Sequence, residues 1–189
     1  NTLDTIIWLA EGKQHEQVVE MVTSLSNFFR TTLSKGKDFI TIEEEKSHVE
    51  SYLQIQRFRY RDILEYEIDI DEGIKKHSIL KLTLQPIVEN ALYHGVKNRR
   101  GMGKIQIKGY QEDSYIILSV IDNGVGMKQE ELEHLRELVN EQIYSEADKG
   151  FGLANVNERI QLNYGLEYGI KIESQYGKGT KVSVLLPVN

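Results

Sequence analysis

The sequence predicts an α+β protein, a helical region followed by an α/β sandwich with a mixed, mostly antiparallel sheet. Three observations lead there. Residues 1–62 contain no proline, and their two glycines, Gly12 and Gly36, each close a stretch of helical periodicity. From residue 63 the apolar period shortens to alternation. Helical stretches then interrupt the alternating ones in the order β-α-β-β-α-α-β-β, with two hairpins, the pattern of a sheet covered by helices on one face.

The first helix, roughly 1–11, places Leu3, Ile6, Ile7 and Ala10 on one side. The second, about 14–34, repeats Val18, Val22, Leu25, Phe29 and Leu33 at spacings close to a coiled-coil seam. The third starts near Thr41, where Glu44 three residues on completes a capping-box pattern, and runs to about Arg61. A helical hairpin cannot surround a core alone, so a homodimer through the N-terminal helices is expected. Strands follow where Leu64, Tyr66, Ile68 and Ile70 alternate with acidic residues, where Ile105 and Ile107 alternate with polar ones, and around Ile170, Ile172 and Val182, Val184, Leu186. The continuous run 115–121 suits a central strand. Helices are predicted at about 79–97, 128–142 and 153–163. The expected domains are 1–62, helical and dimerising, and 63–189, the sandwich.

The chain has 189 residues, 23 Lys and Arg against 29 Asp and Glu, and a formal net charge of −6, a balance that weighs against nucleic-acid binding. It has no cysteine, which excludes disulfides and thiolate zinc sites and fits a reducing compartment. No run of about 18 apolar residues occurs. The chain begins at Asn1 rather than Met and reads as a piece of something longer.

Glycine patterns carry the chemistry. Gly177-Lys178-Gly179-Thr180 is not a Walker A loop, and no G-x-G-x-x-G is present. Asp122-Asn123-Gly124-Val125-Gly126 directly follows the run 115–121. A carboxylate fixed at a strand end accepts a hydrogen bond from an exocyclic amine, and the glycines let a planar ring approach the backbone; the plain alternative is a turn. In the helix after Pro86, Asn90, His94 and Lys97 share one face, and an Asn oxygen is a suitable ligand for Mg²⁺; the alternative is an exposed face ended by Gly95. Gly150-Phe151-Gly152-Leu153 opens a helix whose free N–H groups favour an anion, or is a simple loop-to-helix junction. Gly179-Thr180 reads as a hairpin turn, with Thr180 near Asp122 if their strands are neighbours.

In this order Asn90, Asp122-x-Gly124-x-Gly126, Gly150-x-Gly152-Leu153 and Gly179-Thr180 resemble the N box, the two glycine boxes and the terminal Gly-Thr of the ATPase superfamily that contains gyrase, Hsp90, MutL and histidine kinases. Asn1-Thr2-Leu3, Phe28-Phe29-Arg30, Glu43-Glu44-Glu45, Tyr52-Leu53-Gln54-Ile55-Gln56-x-x-Arg59, Leu84-Gln85-Pro86-Ile87-Val88-Glu89-Asn90-Ala91 and Gly152-Leu153-x-Asn155-Val156-x-x-Arg159 resemble the LytS/YesM-type sensor histidine kinases. The resemblance covers nearly the whole chain.

It implies a catalytic fragment of a two-component sensor histidine kinase that binds ATP and Mg²⁺. The γ-phosphoryl group would pass to a His in an Asn-Pro-His-Phe-Leu-Tyr run upstream of Asn1, then to a response-regulator Asp. Asp122 would hold the adenine amine, Gly124 and Gly126 the base, and Asn90 the metal. Residues 127–152 would form a lid, with Met127, Gly150, Phe151, Gly152 and Leu153 around the nucleotide and Thr180 beside the base. Tyr93 and His94 depart from the Lys and Tyr found elsewhere in the superfamily, and Lys97 is a candidate phosphate contact. Glu89 is the candidate for assisting proton removal, or equally a structural carboxylate. The implied partners are a second copy and a response regulator, with the membrane reached only through segments before Asn1, on its cytoplasmic side. The competing readings are another ATPase or a protein-serine kinase on the same fold, and a non-catalytic nucleotide-binding dimerisation module.

Overall fold

The computed structural model describes residues 2–33, 38–61, 63–141 and 151–188. Three N-terminal helices, α1 (Thr2–Glu11), α2 (His15–Thr32) and α3 (Ile42–Arg59), stand close to their predicted spans. Thr41 closes the capping box on α3: its Oγ1 accepts from the Glu44 N–H at 3.2 Å, and its own N–H donates to Glu44 Oε2 at 2.7 Å.

Five strands form the main sheet: β2 (Leu64–Ile70), β4 (Gly103–Glu112), β5 (Tyr115–Asp122), β6 (Gly169–Gln175) and β7 (Gly179–Pro187). Their order is β2-β4-β5-β7-β6; β2 runs parallel to β4, and every other pair is antiparallel. The fold class is the one predicted. Helices α5 (Gln129–Glu141) and α6 (Phe151–Tyr164), together with α4 (Gln85–Asn90), cover one face through Leu132, Val139, Leu153, Ile160, Ile87 and Val88.

Two features differ from the sequence reading. The stretch 79–97 is not one helix. Residues 78–80 are strand β3, which pairs antiparallel with β1 (Phe39–Thr41), and α4 begins only at Gln85. Three-residue strands carry too short an alternation to be read from a pattern. The second feature is α3, whose Ile42, Val49, Tyr52 and Leu53 belong to the same core as the sheet, while its Ile55 joins Leu9 and Met21 in a small separate core under α1 and α2. This helix therefore packs on both units.

Buried Glu45 on α3 strengthens that connection. Its carboxylate accepts the backbone N–H of Leu82 at 3.0 Å and of Leu84 at 2.8 Å, gripping the turn that launches α4. Leu82 sits there at φ 60°, a conformation that is costly for a residue with a side chain and needs such support. Arg159 from α6 donates to the Lys81 carbonyl at 2.9 Å and holds the same turn from the other side.

Candidate functional site

A cleft of about 390 Å³ opens where β5 ends and β7 begins. Its floor is Val120, Asp122 and Val182, one wall is Asn90, Ala91 and His94, and the other is Leu135 and Leu138 of α5. Apolar walls with a few converging polar groups suit a flat aromatic ligand.

Asp122 is the buried polar anchor. It is the last residue of β5 and lies opposite Thr180 in the ladder, so the conditional neighbour relation read from the sequence holds. Its Oδ1 accepts the Gly124 N–H at 2.7 Å. Burial pushes its pKa up to about 6, with the N–H groups of Gly124 and Thr180 working in the opposite direction. A carboxylate kept near the floor of an apolar slot, with one oxygen fixed by backbone, is a strong acceptor for a ring amine.

Close backbone approach shapes this floor. A Cβ on Gly95 would lie 2.5 Å from Asp122 Oδ1, and one on Gly124 would lie 2.3 Å from the Gly95 carbonyl carbon. Gly126 has φ 63° and a Cβ there would meet the Gln175 carbonyl oxygen at 2.0 Å. The Asp-Asn-Gly stretch is thus a turn that also sets Asp122 into the cleft. Asn123 serves the turn: its Oδ1 accepts the Lys104 N–H at 2.7 Å, and its carbonyl accepts from the Arg99 guanidinium.

Asn90 ends α4 and lines the cleft. Residues Ala91–Gly95 continue as a π-helical turn, in which the Val96 N–H reaches back to the Ala91 carbonyl. The wider turn rotates everything after it. His94 stays on the cleft, but Asn98 rather than Lys97 comes round to it, so the predicted trio of Asn90, His94 and Lys97 does not share a face. Lys97 Nζ instead lies 5.0 Å from the centre of the Tyr60 ring and 4.8 Å from that of Tyr93, and neither Tyr93 nor Lys97 lines the cleft. Asn98 Nδ2 donates to the Tyr93 and His94 carbonyls at 3.0 and 3.1 Å and closes the helix end.

The remaining predicted residues divide. Gly126, Met127, Leu153 and Thr180 line the cleft. Gly152 lies beside the metal candidate, since a Cβ on it would stand 4.0 Å from Asn90 Nδ2. Gly150 lies outside the described residues, as do 142–149 of the predicted lid and the Phe151 side chain. Glu89 is off the cleft; its Oε1 accepts from Gln85 Nε2 at 2.9 Å. Sequence reading placed α5 within the lid 127–152 but named none of its Glu131, His134, Leu135 and Leu138, which all line the cleft. The spacing of 3 to 4 among these residues was visible, but which way that helix faced was not.

Residues 77–189 match the family described as histidine kinase-, DNA gyrase B-, and HSP90-like ATPase, and residues 1–64 match the histidine kinase family. The chain belongs to this ATPase family. Among curated histidine-kinase relatives it is 37% identical to sensor histidine kinase YesM of Bacillus subtilis over 99% of its own length and 32% identical to sensor protein LytS of Staphylococcus saprophyticus, again over 99%. It is 30% identical to sensor histidine kinase BtsS of Escherichia coli. The chain spans 30% of the length of each of these three relatives. Solved structures with the same fold include the catalytic domain of histidine kinase ThkA, at a TM-score of 0.58 and 15% identity, covering 79% of this chain and 94% of that one. The histidine kinase domain from Erythrobacter litoralis EL346 also has a TM-score of 0.58, at 16% identity, with 90% of this chain and 74% of that one covered. The resemblance to the LytS/YesM type read from the motifs is thereby borne out. Among the described residues no helix is long and apolar enough to cross a membrane.

Proposed function

We propose that this chain is the ATP-binding and dimerising part of a two-component sensor histidine kinase, which passes the γ-phosphoryl group of ATP to a His upstream of Asn1 and from there to a response-regulator Asp. The observation that carries the reading is Asp122, a carboxylate 6% exposed at the floor of an apolar cleft whose wall holds Asn90. Asp122 accepts the adenine amine, and Gly124 and Gly126 keep the backbone flat against the ring. Met127, Leu153 and Thr180 enclose the base, and Gly152 approaches the phosphates. His94, which is on the cleft, is better placed to contact phosphate than the expected Lys97, which is turned away among aromatic rings.

Among the described residues no group of three or more His, Cys, Asp or Glu side chains gathers to hold a metal. Asn90 would hold the cation through its side-chain oxygen, a hard ligand of the kind Mg²⁺ accepts beside water and phosphate oxygens. When bound, Mg²⁺ neutralises charge on the phosphate oxygens. The protein's own part is positioning, with Glu89 assisting removal of the proton from the attacking imidazole.

Residues 1–62 carry dimerisation and 63–189 ATP binding, with α3 packed on both. Val18 and Leu25 of the predicted α2 seam pack inward, whereas Val22, Phe29 and Leu33 are exposed together with Leu3, Ile7 and Trp8 on α1. That surface is the proposed contact with a second copy. The parent protein would reach the membrane through segments before Asn1 and keep this part on the cytoplasmic side.

The test is incubation of the full-length chain with γ-labelled ATP. Acid-labile phosphate on a His upstream of Asn1 is expected, dependent on Mg²⁺ and lost in Asn90→Ala. Nucleotide binding without any phosphohistidine would overturn the kinase reading in favour of a non-catalytic module.

A further inference from the structure

A hydrogen-bonded chain runs from the α2–α3 packing to Glu89. His48 on α3 is fully buried, with its ring stacked on Phe28 of α2, centroids 4.6 Å apart and planes 15° from parallel. Its Nε2 is hydrogen-bonded to Gln85 Oε1, and Gln85 Nε2 lies 2.9 Å from Glu89 Oε1.

The direction of the chain follows from which atoms can donate. Gln85 Nε2 donates to Glu89 Oε1, so the NH₂ end of the amide faces Glu89. Its carbonyl oxygen is then fixed toward His48, and Nε2 of the imidazole must carry the proton. Burial holds His48 below the usual histidine range, which keeps the ring neutral. Phe28 fixes the plane of the ring, the ring fixes the amide, and the amide fixes one carboxylate oxygen of Glu89. Gln85 and Glu89 are one turn apart on α4, so the chain crosses from α3 to α4 through direct side-chain hydrogen bonds.

We propose that His48 and Gln85 are positioning residues for Glu89, so that the docking of α2 on α3 sets the orientation of the carboxylate that receives the proton. This rests on the reading of Glu89 given above. None of the three lines the nucleotide cleft, so the chain acts on the transfer step and leaves nucleotide affinity alone. A carboxylate misplaced by about 1 Å costs on the order of 100-fold in rate.

The experiment measures autophosphorylation of the full-length chain at varied ATP, with nucleotide affinity and thermal melting recorded for each variant. Gln85→Met, which keeps the side-chain length at a half-buried position, and His48→Leu are expected to lower kcat about 10- to 100-fold, with KM for ATP and nucleotide affinity within about twofold of wild type. His48→Gln, which again offers an N–H to Gln85, is expected to return kcat to within about threefold. If Glu89→Gln slows transfer while Gln85→Met keeps the wild-type kcat, the positioning proposal is overturned and the role of Glu89 survives. If Glu89→Gln transfers at the wild-type rate, the role of Glu89 falls and the proposal falls with it. A parallel loss of kcat, affinity and melting temperature in Gln85→Met and both His48 variants would mark a purely structural contact and also overturn it.

Discussion

Placing a methyl group on Gly95 tests the floor of the cleft by pressing on the Asp122 carboxyl while leaving its chemistry unchanged. The new Cβ would lie 2.5 Å from Asp122 Oδ1 and 2.7 Å from its Cγ. To reach ordinary contact the carboxyl must withdraw by roughly 0.9 Å. It has little freedom to do so, because Oδ1 is held by the Gly124 N–H at 2.7 Å and Gly124 is itself packed on the Gly95 backbone. Overpacking of this kind costs about 1–3 kcal/mol, and loss of the charge-assisted bond to Gly124 adds about 1.5–3 kcal/mol if the carboxyl rotates away. Gly95→Ala is therefore expected to destabilise the chain by about 1–3 kcal/mol if the carboxyl stays in place and by about 2.5–6 kcal/mol if it rotates away, and to weaken ADP binding by at least about 10-fold, since the displaced oxygen is the proposed acceptor for the base. Urea denaturation and calorimetric titration with ADP measure the two effects. Wild-type affinity in a folded Gly95→Ala protein would refute the assignment of Asp122 to the base.

The remaining predictions concern charge, anchoring and assembly. Because Asp122 has a folded pKa raised to about 6, its stabilising effect is fully present below the unfolded value of 3.8 and is lost as pH rises through 6, an effect on the order of 3 kcal/mol; Asp122→Asn should remove this part of the pH dependence in denaturation curves between pH 4 and about 8. In the same range ADP affinity of the wild type should fall as pH drops below about 6, because a protonated carboxyl is the weaker acceptor, and a flat calorimetric profile would contradict this. Glu45→Ala leaves the N–H groups of Leu82 and Leu84 without their acceptor and should cost about 2–5 kcal/mol in urea denaturation; a loss under about 1 kcal/mol would show that the turn before α4 holds itself. Phe29→Glu places a charge on the exposed α2 surface and should convert a dimer to a monomer in sedimentation equilibrium, whereas an unchanged mass would move the dimer contact elsewhere.

Asp122 and Asn90 were legible because each is fixed by short-range patterns: a carboxylate directly after an apolar run with glycines behind it, and an amide one helical turn from Pro86. The orientation after Asn90 was not legible. The π-helical turn ends where Gly95 and Gly124 approach each other across the sequence, and no 3.6-residue count contains that contact. For the same reason Lys97 was expected on the wrong face. Helix α3 hid its role because it buries Glu45, His48 and Gln56 beside apolar residues, so its periodicity gives little sign of packing on two sides. The β1–β3 pair depends on two three-residue segments almost forty residues apart. The five-strand sheet, by contrast, followed from alternation along β2, β4, β6 and β7, the signal a half-buried sheet leaves, and from the continuous apolar run of β5.

The most direct measurement is the preference of the chain for adenine over hypoxanthine nucleotides, which differ in carrying an amine or an oxygen at the position assigned to Asp122. Wild type is expected to bind ADP at least about 10-fold more tightly than inosine diphosphate, and Asp122→Ala is expected to lose both the tight binding and the preference. Equal affinity of the wild type for the two nucleotides, or an Asp122→Ala protein that still prefers ADP, would contradict the account.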